Sequence, residues 1–249
     1  MVAALVACAS APQEPTVPAM AGGYDPVVTI PLDGAKPGFA TAAYFEPQGP
    51  GPFPAVIILS GCGGVGDDVG IVKRVNQDYL PKGIATLVLD SFTPRGFGSI
   101  CGRGNLVDVH TRANDAYAAM AWLDAHPQID ANHIFLQGYS HGASAAIDAI
   151  NPANAAAHAQ RFAGVVAFYP YCFSAASRFP VPTILLIGSD DTTTPLALCR
   201  AIRDKTNALF TVYPGAGHAF ATPGQANYRE AAAADAQRRA AELIDSLLR

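Results

Sequence analysis

Charge is scarce in this chain. Only 14% of its 249 residues are charged and the formal net charge is −4, so there is no basic footprint for nucleic acid. No stretch is long and apolar enough to span a bilayer, and no internal repeat stands out. No two of the six histidines stand at helical metal-ligand spacing, and the cysteine spacing matches no zinc motif. The Gly-rich run Ser60-Gly61-Cys62-Gly63-Gly64 lacks the lysine that closes a P-loop and the glycine spacing of a dinucleotide fold. Neither a metal nor an organic cofactor is therefore expected. Half the residues are apolar, which makes the chain globular, and its length suits one α/β domain with a sizeable core.

Short apolar runs recur along that length. Val27–Phe45 holds two strand-like runs split by Pro31-Leu32-Asp33-Gly34 and reads as an opening hairpin. Further strand signals fall at Ala55–Leu59, Ala85–Asp90, Ile134–Gln137, Gly164–Tyr169, Thr183–Ile187 and Leu209–Tyr213. Helical patterns lie between them at Val69–Leu80, Asn105–Ala125, His141–Ile150 and Pro195–Lys205, with a long one at Ala226–Leu248. In the second of these, Ala116, Met120 and Leu123 repeat at the spacing of a buried face, so Met120 and Trp122 read as packing residues. Strands alternating with helices of these lengths specify a mostly parallel sheet covered on both faces.

One motif gives this sheet a chemistry. Gly138-Tyr139-Ser140-His141-Gly142 joins the strand ending at Gln137 to the helix opening at His141. A G-x-S-x-G in that setting is the nucleophile elbow of an α/β-hydrolase, whose tight turn lifts the serine hydroxyl above the sheet edge. Such a serine needs a base and a carboxylate to orient it, arriving later in the order Ser, Asp, His. His218, in the loop after Leu209–Tyr213, fits the base. His110, His126, His133 and His158 read as solvated residues of helices or connections, and His141 points its ring away from the serine while offering its backbone N–H. Asp190 and Asp191 both follow Thr183–Ile187. The spacing from Gly188 and back from Pro195 favours Asp191. Backbone N–H groups of Cys62 and His141 are the expected oxyanion donors.

Together these residues resemble the dienelactone hydrolase family. Its marks here are Gly61-Cys62-Gly63-Gly64, Asp90-Ser91-Phe92-Thr93-Pro94-Arg95-Gly96, the elbow, Phe168-Tyr169-Pro170, the Asp191 loop and Gly217-His218. The resemblance runs from about Ala40 to the C-terminus and implies an eight-stranded α/β-hydrolase sheet and a small ester or lactone as substrate. The chain departs from the family pattern in carrying Ser140 where the dienelactone enzymes proper use cysteine. It also has Ser60 where many members carry histidine, and Ala143 where they carry glycine. Arg95 is similar in position to an arginine that helps bind the substrate carboxylate, with Arg103 a weaker candidate. The alternative for Arg95 is an ordinary salt-bridged loop residue. Phe92, Phe97, Tyr169 and Tyr171 are candidates for pocket walls or for plain core. The segment between Tyr169 and Thr183 holds only about a dozen residues, too few for a lipase-type cap domain.

The first residues carry a separate signal. Leu5-Val6-Ala7-Cys8 looks like a bacterial lipobox with Cys8 as the lipidated residue, followed by a Pro-, Ala- and Thr-rich tether. Residues 1–22 then read as leader and tether and 23–249 as the hydrolase domain, exported to the periplasm or anchored in a membrane. A plain secretory signal or a disordered leader are the alternatives. Cys62, Cys101, Cys172 and Cys199 remain, an even number that suits an oxidising compartment. In the sheet that the resemblance implies, the strands before Cys62 and Cys101 are neighbours, as are those before Cys172 and Cys199. That arrangement points to 62–101 and 172–199, against four free thiols. Rival functions are a prolyl-oligopeptidase-like peptidase, which would normally bring a propeller domain, and a non-catalytic binding protein on a hydrolase scaffold.

Overall fold

The computed structural model describes residues 27–34, 38–67, 69–173 and 178–249; the expected leader and Cys8 lie outside them. Eight strands form one sheet: β1 (Val27–Pro31), β2 (Phe39–Phe45), β3 (Phe53–Leu59), β4 (Ala85–Asp90), β5 (Ile129–Tyr139), β6 (Val165–Phe168), β7 (Thr183–Gly188) and β8 (Leu209–Tyr213). Their order is β1-β2-β4-β3-β5-β6-β7-β8. The β1–β2 and β2–β4 pairings are antiparallel and all others parallel, which confirms the expected hairpin and mostly parallel sheet. Strands β4, β6 and β7 are buried along their whole length, whereas edge strand β8 opens on exposed Leu209. Continuous apolar runs at the centre follow from burial on both faces.

The period of two along the strands sorts side chains between two helical layers. Ala55, Ile57 and Leu59 pack with Ala113, Ala116 and Met120 of α2 (Val109–Asp124), Ala146 of α3 (His141–Ala149) and Ile202 of α5 (Leu196–Lys205). Val56 and Ile58 face the other layer, with Tyr79 at the end of α1 (Val69–Tyr79) and Ala233, Ala236, Ala240 and Ile244 of α6 (Glu230–Leu247). A four-residue helix, α4 (Pro152–Ala155), follows α3. Gln137, polar yet fully buried in β5, is satisfied by Tyr79 Oη at 2.7 Å and by donating to Tyr139 Oη at 2.7 Å.

Three boundaries differ from expectation by four residues or more. β5 begins at Ile129, because the Phe53 N–H bonds to Gln128 O at 2.7 Å and pairs Phe53 with Ile129; the polar Asp130-Ala131-Asn132 hid that start. α2 begins at Val109, since the Asp108 carboxylate caps it by accepting from Thr111 N at 2.7 Å. α6 begins at Glu230, because residues 225–228 form a turn against the His218 loop, where Asn227 Nδ2 donates to His218 O at 3.1 Å. Among the described residues no helix is long and apolar enough to cross a membrane, and no group of three or more His, Cys, Asp or Glu could hold a metal.

Candidate active site

Parallel strands bring their carboxyl ends to one rim, and the chemistry-bearing loops follow from there. β5 ends at the elbow. Ser140 has φ +50° and ψ −115°, a conformation a non-glycine residue rarely adopts, and it is held by its N–H donating to Phe168 O at 2.9 Å. The flanking glycines are steric necessities. A Cβ on Gly138 would lie 2.3 Å from Gly142 O, and one on Gly142 would lie 2.4 Å from Leu59 O and Ser60 O.

β7 and β8 deliver the other two side chains. The turns beyond them touch at Gly188, where a Cβ would lie 2.2 Å from Ala216 O, and the Asp190 N–H donates to that same carbonyl at 3.0 Å. This close approach draws the carboxylate and imidazole together. Ser140 Oγ lies 2.8 Å from His218 Nε2, and His218 Nδ1 lies 2.8 Å from Asp191 Oδ2. Asp191 is buried and fully engaged: Oδ1 accepts from Thr193 N at 2.9 Å and Thr194 N at 2.8 Å, while Oδ2 also accepts from Thr194 Oγ1 at 2.6 Å. Burial raises its pKa, but the bonds from His218 and Thr194 outweigh that and hold it below the usual carboxylate range. Asp190 is exposed and accepts from the neighbouring Ser189 Oγ at 2.6 Å.

The Gly-rich loop after β3 abuts the elbow, with Ser60 O pressed against Gly142. Cys62 forms a disulfide with Cys101, and its carbonyl accepts from Ile100 N at 2.9 Å, so the loop is tied to residues 99–101 by chain and by bridge. Cys172 and Cys199 form the second disulfide, so both bridges match the expected pairing. As the first residue of α3, His141 leaves its backbone N–H without an intrahelical partner, free to face the elbow.

A model of the dienelactone hydrolase family matches residues 40–248. The chain belongs to the dienelactone hydrolase family. A lactone is a cyclic ester, and the protein is accordingly a hydrolase acting on ester bonds. Solved structures share the fold at low identity. One classed as a dienelactone hydrolase, from Klebsiella pneumoniae, superposes with TM-score 0.73 at 20% identity, over 89% of this chain and 99% of that one. A thermophilic esterase of Thermogutta terrifontis gives 0.66 at 16%, over 89% and 91%. A dienelactone hydrolase-like promiscuous phosphotriesterase from metagenomic libraries gives 0.65 at 18%, over 89% and 98%. No curated protein sequence matches.

Two of the candidate substrate-binding residues, Arg95 and Phe92, are engaged elsewhere. Arg95 does not present a free fork. Its Nη1 and Nη2 donate to Asp115 Oδ2 and Oδ1 at 2.7 and 2.8 Å, and Nη1 also donates to Ser91 O at 2.7 Å. Both partners are nearly buried, so a substrate carboxylate would have to displace Asp115. Phe92 is 1% exposed and packs with Ile100 and Val107 behind Cys62, which makes it support for the loop and not a pocket wall. Tyr169 is also buried, but its ring stands edge-on to His218 with centroids 5.2 Å apart, and its hydroxyl pairs with Thr222 Oγ1 at 2.7 Å. It backs the imidazole. Tyr171 and Phe173 are the exposed aromatics beyond β6, while Arg103 is an exposed loop residue.

Arg112 is the residue that sequence reading passed over. It is fully buried on α2, with Nη2 donating to Ser60 O at 2.9 Å and Nη1 lying 3.1 Å from His141 Nδ1. Its guanidinium carbon sits 4.6 Å from the centre of the Phe92 ring. The signal was present: Arg112 precedes Ala116, Met120 and Leu123 at the same helical spacing, a charge set in an apolar stripe.

Proposed function

We propose that this protein is a serine carboxylic ester hydrolase of dienelactone-hydrolase type, working through an acyl-enzyme. The observation that carries the reading is the unbroken hydrogen-bonded line from Ser140 Oγ through His218 to Asp191. Ser140 Oγ attacks the acyl carbon while His218 Nε2 takes its proton. The carbonyl oxygen becomes an oxyanion, held by the N–H groups of Cys62 and His141, each worth on the order of 10²–10³ in rate. Collapse breaks the acyl–oxygen bond, and His218 returns the proton to the departing alcohol. A water then gives its proton to His218, attacks the acyl carbon and frees Ser140 together with the carboxylic acid. In a lactone the alcohol stays attached to the acyl group, and the second step releases a single hydroxy acid. Asp191, kept ionised, holds the His218 tautomer and stabilises the imidazolium. No step requires a cofactor.

The two disulfides accord with an oxidising, exported setting. We assign residues 1–22 as leader and tether, 23–249 as the hydrolase domain, and Cys8 as the lipid attachment point; incorporation of a palmitate analogue that vanishes in Cys8→Ser supports this, and equal labelling overturns it. For the chemistry, a fluorophosphonate probe should label the wild type and not Ser140→Ala, and turnover of p-nitrophenyl esters should disappear in the same variant. Labelling that survives Ser140→Ala, or ester turnover independent of it, would sink the assignment.

A further inference from the structure

Arg112 contacts both segments that carry the proposed oxyanion donors, and this carries an inference resting on the reading above. We propose that Arg112 is a positioning residue that clamps the two oxyanion amides into register. One arm donates to Ser60 O at 2.9 Å, with Ser60 Oγ 3.4 Å away, two residues before the Cys62 N–H. The other lies 3.1 Å from Nδ1 of His141, the residue whose own N–H is the second donor. Arg112 approaches from α2, an element that supplies neither donor, and is fully buried. The Phe92 ring lies 4.6 Å from the guanidinium carbon on one side.

The chemistry of the arms is consistent. Arginine can only donate, so His141 Nδ1 must carry a lone pair. Burial, reinforced by the Arg112 charge, pushes the His141 pKa down to about 4, so its ring is neutral. The tautomer that accepts from Arg112 carries its proton on the other nitrogen, Nε2, which lies on the side of Gly104. A planar guanidinium spans two acceptors in a fixed fork, a geometry that a lysine ammonium lacks. Oxyanion donors stabilise a transition state only if they are already aimed when charge develops, so the clamp acts on kcat and leaves ground-state binding alone.

The experiment compares Arg112→Met and Arg112→Lys with wild type on a small neutral p-nitrophenyl ester. Inhibition by an alkyl trifluoromethyl ketone, whose Ser140 adduct places an oxyanion in the hole, is measured alongside. Arg112→Met should lower kcat on the order of 10- to 100-fold with KM within about threefold, and weaken the ketone in parallel. Arg112→Lys should recover only part. Unchanged kcat, or a loss seen in KM with ketone affinity intact, would overturn the clamp. If Arg112→Met fails to fold, His141→Leu and His141→Asn replace it: Asn keeps an acceptor for Arg112, so its kcat should stand about tenfold above that of Leu, whatever both lose relative to wild type. Equal kcat in those two also overturns it. Amide hydrogen exchange at residues 60–64 and 141 reads the clamp without turnover and should accelerate at least about tenfold in whichever of Arg112→Met or His141→Leu folds. Unaltered exchange defeats the clamp, whereas a wild type inert to esters defeats only the hydrolase reading.

Discussion

At the scale of single residues, adjacent carboxylates have unlike fates. Asp191 is buried and takes bonds from His218, Thr193 and Thr194, while Asp190 is exposed beside Ser189. Asp191→Asn should therefore lower kcat by on the order of 10⁴, by letting His218 adopt the wrong tautomer, while Asp190→Asn should stay within about twofold. Ester kinetics on the two purified variants decide it, and comparable losses would contradict the assignment. His141 gives a second prediction. Its folded pKa of about 4 lies below the ordinary histidine value of 6.5, so above that higher value both folded and unfolded states are neutral. Between the two values the unfolded chain binds a proton that the folded chain refuses, so stability falls as pH drops and levels off below about 4. The groups facing this ring are Arg112, Asp108 and the Gly104 carbonyl. The loss is at most about 3 kcal/mol. Urea unfolding at pH 7 and pH 4.5 should show a larger drop for wild type than for His141→Asn; equal drops would refute it. That Ser140, His218 and Asp191 meet was legible because strand ends mark the rim and spacing selects the aspartate. The partner of Arg95 was not legible, because a motif position does not reveal Asp115, 20 residues on and contributed by a helix.

At the scale of elements, the buried strands were readable because apolar runs have no alternative to the core. The start of β5 was not, since pairing with Phe53 is a tertiary matter that its polar residues conceal. Helix α2 does more than cover the sheet. Its stripe carries Arg112 and Asp115 one turn apart, which reach the loops after β3 and β4, so one helix fixes two segments of the rim. The disulfides divide their labour by position. They join residues 39 and 27 apart in sequence, for which loop-closure entropy gives losses of about 4 and about 3.5 kcal/mol on removal. The stability losses should thus be nearly equal. Cys62→Ala with Cys101→Ala should also lower kcat, because it frees the oxyanion loop, whereas Cys172→Ala with Cys199→Ala should not. Urea midpoints and ester turnover on the two double variants separate these effects, and matched kcat values would show that the bridge at Cys62 serves stability alone.

At the scale of the whole molecule, the site is assembled by topology. Strands β3, β5, β7 and β8 run parallel, so residues as distant in sequence as Cys62 and His218 arrive at one rim without any loop having to fold back across the sheet. What covers that rim matters as much as what builds it. The lid of a lipase-like hydrolase needs an insertion with secondary structure of its own, and between β6 and β7 no helix or strand occurs among the described residues. The Tyr171 N–H instead donates to Ser144 Oγ at 2.8 Å, and that hydroxyl donates to Ser140 O at 3.2 Å, so the segment leaving β6 is bound to the elbow rather than poised above it. Nothing among the described residues of this arrangement would be released by a lipid–water interface, since interfacial activation requires a closed state to open. Hydrolysis of a short-chain triglyceride such as tributyrin should therefore rise hyperbolically through the solubility limit, without an upward break where emulsion forms. A sharp jump at that limit would mean that some segment does close over Ser140, and the open rim would have to be abandoned as the determinant of access.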